Sequence, residues 1–190
     1  MPAIRFAAFH LAAALLFGAA VPRASHAGSE RAATSGTASV RAAKAEPFAR
    51  VYLALRGCTS CSHCRTTIRQ MAKGSAKGGE TRVDGDRVEV RYATPRAVPL
   101  REVVRALADN RLHDLSLVDV LFEAKGTLAS QPDGSARFTL WDTGQVFRLA
   151  VAPHVARPLD GRPVRVIAVV GGWREKGDLS LEAREIKVGS

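Results

Sequence analysis

From residue 48 to 55 apolar and polar positions alternate, setting Val51, Leu53 and Leu55 on one face, the pattern of a half-buried strand. A loop over 56–60 follows. From 64 to 73 the period becomes helical, with Ile68, Met71 and Ala72 on one side, and Gly74, Gly78 and Gly79 end the pattern. Short strands over 81–84 and 87–92 flank Asp84-Gly85, a strong hairpin signal. Pro99 suits a first helical position, and Leu100, Val103, Val104 and Leu107 recur at helical spacing. A strand over 115–122 closes this series, with Leu115, Leu117 and Asp119 set against Ser116, Val118 and Val120. The order β-α-β-β-α-β predicts a ferredoxin-like arrangement, two helices covering one face of an antiparallel sheet.

Beyond residue 125 nearly every pattern is a strand: 126–130, 137–141, 145–151, 164–170 and 179–188. Turns at Pro132-Asp133-Gly134, Asp142-Thr143-Gly144 and Lys176-Gly177-Asp178 divide them, and a short helical segment, 152–156, precedes the fourth. Five strands with a helix at that place predict a small OB-like barrel. The expected fold class is α+β: a ferredoxin-like βαββαβ domain over 47–124, then a small all-β barrel over 125–190.

The chain's first residues carry a different pattern. Arg5 precedes an apolar stretch over 6–21, and Ser25-His26-Ala27 supplies the small residues of a cleavage site, so 1–27 is expected to be a signal peptide. The stretch is short and alanine-rich for a retained membrane anchor. Residues 28–46, rich in Ala, Ser, Thr and Gly, are expected to be a flexible linker. A periplasmic or secreted protein, with no membrane attachment after cleavage, follows.

Composition adds little to this picture. Apolar content of 46% and charged content of 24% suit a folded soluble protein, and the net charge of +10 is scattered without a basic run. An OB-like barrel can bind single strands through basic grooves and stacked aromatics. Phe138 and Trp141 differ in strand parity, however, so they form no shared platform, and no nucleic-acid partner is expected. No Ser-His-Asp group, carboxylate pair or phosphate-cradling loop occurs, so no enzyme is expected. His113 and His154 lack partners at ligand spacing.

The chemistry gathers in one heptapeptide, Cys58-Thr59-Ser60-Cys61-Ser62-His63-Cys64, which holds all three cysteines of the chain. It joins the end of a strand to the start of a helix, where the helix dipole favours thiolates. Two thiolates at Cys-x-x-Cys spacing offer an open, near-linear site that suits Cu(I) and Hg(II). A closed zinc site would need four ligands, and no second pair exists. His63 is a further candidate ligand through its imidazole. In an oxidising compartment two of the three cysteines can instead pair as a disulfide.

The segment from Val51 to Val120 resembles the heavy-metal-associated domain family of copper-chaperone and mercury-binding proteins. The resemblance rests on the alternating strand, Gly57, the Cys-x-x-Cys opening a helix, the hairpin ending in Val88-Glu89-Val90-Arg91-Tyr92 and the helix starting near Pro99. It implies a ferredoxin-like sandwich with Cys61 and Cys64 as metal ligands. This chain has Cys58 where the family usually has Met, and a loop one residue longer. Cys58 is therefore a candidate third ligand, or a disulfide partner for Cys61 or Cys64.

Together these readings predict an exported protein that captures a soft metal ion, Cu(I) first and Hg(II) or Zn(II) next. It would exchange the ion with a metal-donor or metal-acceptor protein. The alternatives are a thiol–disulfide redox protein using the same cysteines, and an interaction module carried by the barrel.

Overall fold

The computed structural model describes residues 46–112, 114–175 and 178–189. The expected signal peptide, all of the linker but Glu46, His113 and part of the 176–178 turn lie outside the described residues.

Among the described residues eight strands and three short α-helices follow one another: β1 (Ala49–Arg56), α1 (Ser62–Ser75), β2 (Glu80–Asp84), β3 (Arg87–Tyr92), α2 (Leu100–Ala108), β4 (Ser116–Ser130), β5 (Ala136–Leu140), β6 (Val146–Ala150), α3 (Pro153–Ala156), β7 (Pro163–Gly171) and β8 (Ser180–Val188). All eight strands belong to one sheet in the order β2-β3-β1-β4-β5-β6-β8-β7, and β4 also pairs with β7. The last five strands thus close on themselves as a barrel whose β6–β8 pairing is parallel, an order that fits an OB-like barrel.

The expected fold class is overturned at β4. A ferredoxin-like domain followed by a separate barrel would require a break near residue 124. Instead a single strand of 15 residues runs through that point and serves both halves. One edge of β4 pairs with β1 over 116–124 and then with β5 over 126–130, while the other pairs with β7 over 121–127. Lys125 makes the transfer: its N–H donates to Phe48 O (3.3 Å) and its C=O accepts from Trp141 N–H (3.3 Å). The molecule is a mostly-β body with a closed five-strand barrel, three further strands and short helices.

Two features hid this continuity. Glu123 and Lys125 look like loop residues, but their charges are matched on the outer face of the sheet. Glu123, only 8% exposed, lies 3.3 Å from Arg165, 3.5 Å from Arg50 and 3.1 Å from the Tyr52 hydroxyl that donates to it. Lys125 pairs with Glu46 at 3.0 Å. A bulge between Ala54 and Leu55 in the β1–β4 register also leaves Val118 outside the ladder. Val118 is consequently exposed, whereas Val120, which simple alternation groups with it, is fully buried.

Register explains why the core is continuous. Phe122 lies directly opposite Val51 on β1 and Ala168 on β7, and all three are fully buried. Directly opposed residues point to the same face. The sheet face covered by α1 and α2 therefore becomes the interior of the barrel. Ile68 and Ala72 of α1, and Leu100, Val103, Val104 and Leu107 of α2, pack into the same cluster as Phe138, Leu140 and Leu149. Gly126 sits where the barrel closes tightly, since a Cβ there would lie 2.2 Å from Thr139 O. Among the described residues no helix is long and apolar enough to cross a membrane.

Candidate metal centre

The functional loop leaves β1 through Gly57, whose φ of +118° is disfavoured for side-chain-bearing residues. A Cβ at this position would fall 1.4 Å from the carbonyl oxygen of Asp114, just ahead of β4. Gly57 therefore allows the cysteine loop to lie against the segment joining α2 to β4. Asn110 pins that segment: its side-chain amide donates to Leu107 O (2.7 Å) and Leu115 O (3.3 Å), and its oxygen accepts from Leu112 N–H (2.9 Å). These supporting residues were missed from sequence; the one signal for them was a glycine placed between a strand and a cysteine cluster.

Helix α1 starts earlier than its periodicity predicts, at Ser62 rather than residue 64, because Cys61 caps it. Cys61 has extended backbone angles (φ −70°, ψ 146°), and its Sγ accepts the backbone N–H of Cys64 at 3.2 Å. This thiol takes the place that a serine or aspartate oxygen fills in most caps. The helix then passes through Gly74 and ends at Ser75.

The fold brings Cys58, Cys61 and Cys64 together, with their three sulfurs all within 4.8 Å of one another. None is in a disulfide; Cys58 and Cys61 are exposed and Cys64 is half-buried. The Cys64 thiol donates to Cys58 Sγ at 3.6 Å. Three thiolates about one ion at roughly 2.3 Å would lie about 4 Å apart by plane geometry. The group is thus able to hold a metal ion with little movement. His63, exposed in the first turn of α1, is not part of it.

Proton affinity differs among the sulfurs. The Cys61 thiol lies below its ordinary value, because the Cys64 side chain and N–H and the Cys58 side chain all hydrogen-bond to its sulfur. Cys64 is pushed up to about 12, first by its hydrogen bonds to the Cys61 and Cys58 sulfurs and then by lost hydration. Arg65, Arg69 and Lys73 follow the cluster along exposed positions of α1, and the helix carries no carboxylate. Their positive charges, added to the helix N-terminus, favour anionic sulfur near the cluster.

Of the remaining candidates, Phe138 is fully buried in the barrel, so its ring is not available for stacking on a base. His154 lies in α3 and joins no ligand group among the described residues. Comparison with protein-family models, curated proteins and solved structures gives no match. The functional reading therefore rests on the residues of the site.

Proposed function

We propose that this chain is an exported binding protein, not an enzyme, which captures a soft metal ion through Cys58, Cys61 and Cys64. Cu(I) is the leading cargo, ahead of Hg(II) and Zn(II). The observation that carries this reading is the convergence of three free sulfurs within 4.8 Å at the exposed start of a helix. Soft thiolates select soft ions, and three of them leave a closed zinc site one ligand short. A third sulfur, Cys58 Sγ, stands 3.6 Å from Cys64 Sγ, near the roughly 4 Å spacing of three thiolates about one ion, which supports three-sulfur coordination.

Capture proceeds by thiol deprotonation and coordination, Cys61 first because its sulfur already accepts hydrogen bonds. Release is ligand exchange: an incoming thiolate of a metal-acceptor protein attacks the exposed, low-coordinate ion. Each departing protein sulfur then regains a proton. Periplasmic or secreted placement agrees with the leader expected over 1–27.

The test is a competition titration of Cu(I) into the reduced, oxygen-free full chain against a chromophoric chelator. Stoichiometric binding is expected, lowered at least about 1000-fold in the Cys61→Ser, Cys64→Ser double variant, since loss of chelation removes a large effective concentration of ligand. Binding by that variant equal to the parent protein would overturn the reading.

A pH series checks the proton bookkeeping. With its pKa raised to about 12, Cys64 is protonated throughout pH 6–8, so ligation must displace its proton. Apparent Cu(I) affinity is expected to rise with pH by about tenfold per unit for each proton displaced. A flat profile between pH 6 and 8 would exclude Cys64 as a ligand.

A further inference from the structure

Cys58 and Cys64 stand as a ready redox pair inside the group proposed to hold metal. Their sulfurs are 3.6 Å apart, and a disulfide bond is about 2.05 Å, so closure requires an approach of about 1.5 Å. Cys58 is exposed on the short loop between Gly57 and the Cys61 cap, where a side-chain rotation can supply this movement. Pairing these two residues leaves the Cys61 Sγ free to keep accepting the Cys64 N–H, so α1 retains its cap. Pairing Cys61 with either neighbour would instead redirect the capping sulfur.

We infer that Cys58 and Cys64 form a reversible disulfide that switches metal capture off under oxidising conditions. The inference rests on the metal-binding reading and adds its regulation. The oxidant is an external disulfide, R–S–S–R, of a low-molecular-weight thiol. One of the two cysteines gives its proton to solvent and attacks one sulfur of the reagent, forming a mixed disulfide and expelling R–S⁻. The second cysteine, deprotonated in turn, attacks the protein-bound sulfur, forms the Cys58–Cys64 bond and expels the second R–S⁻. The two cysteines lose two electrons, the reagent gains them, and both expelled thiolates take up protons. Cys61 then stands alone, and a single thiolate cannot chelate an ion. Excess dithiol reverses the exchange.

The test equilibrates the full chain with reduced and oxidised glutathione in varying ratio. Differential alkylation and peptide mass mapping follow, with parallel Cu(I) titration of the fully reduced and oxidised forms. The expected result is a Cys58–Cys64 disulfide, one alkylatable thiol at Cys61, and Cu(I) binding weakened at least roughly 100-fold and restored by dithiol. Tight binding in the reduced form together with three alkylatable thiols, or with a Cys61–Cys64 bond, would overturn the switch and leave metal capture standing. A Cys58–Cys64 disulfide in a protein whose reduced form binds no Cu(I) would overturn metal capture, and with it the switch as its regulator.

Discussion

Replacing Phe122 with alanine is expected to lower stability by about 3–5 kcal/mol, in one transition that takes the helices and the barrel together. Phe122 is fully buried on β4, opposed to Val51 of β1 and Ala168 of β7. Its ring stands 5.2 Å from that of Phe147 on β6. Truncation would open a cavity where the helix-covered sheet becomes the barrel, and neither side could collapse into it without disturbing the other. Urea unfolding followed by circular dichroism reports α1 and α2, and fluorescence reports Trp141 and Trp173, which follow β5 and β7 of the barrel. Coincident, equally shifted curves are expected. Two separated transitions, with only one moved by the substitution, would mean that the halves fold independently.

The second large effect belongs to Gly57→Ala. Its φ of +118° costs a side-chain-bearing residue about 1–3 kcal/mol, and the added Cβ would meet Asp114 O at 1.4 Å. That oxygen is backbone, in a segment pinned by Asn110, so the cysteine loop must give way. Cys58 lies next to Gly57 and would be carried off its sulfur partners. Lower stability and weaker Cu(I) binding are expected together. Unchanged binding in a folded Gly57→Ala protein would show that the strand exit does not position Cys58.

Much of this was legible in the sequence, for local reasons. β1, the β2–β3 hairpin and α2 fall where alternation, Asp84-Gly85 and the Leu100, Val103, Val104, Leu107 spacing place them, because short-range periodicity records a buried face. The cysteine cluster was legible because all three lie within seven residues. What escaped were pairings between distant residues. Nothing local to Glu123 announces Arg50 or Arg165 as its partners, so a charged stretch inside a strand looked like a domain boundary. Nothing local to residues 121–127 announces β7 across their other edge. Likewise the Cys61 cap, which adds two residues to the predicted start of α1, depends on a sulfur taking an oxygen's place.

The site's chemistry depends on that geometry more than on the fold's class. Cys61 is fixed by the helix it caps, Cys64 by the first turn, and Cys58 by the strand exit at Gly57. Three separate constraints thus converge on one small volume at an exposed loop.

X-ray absorption at the copper edge of the Cu(I)-loaded, reduced full chain reports whether three sulfurs share one ion. A first shell of three sulfur neighbours, falling to two in Cys58→Ser, is expected. A shell of nitrogen or oxygen neighbours, or a sulfur shell unchanged by Cys58→Ser, would overturn three-sulfur capture.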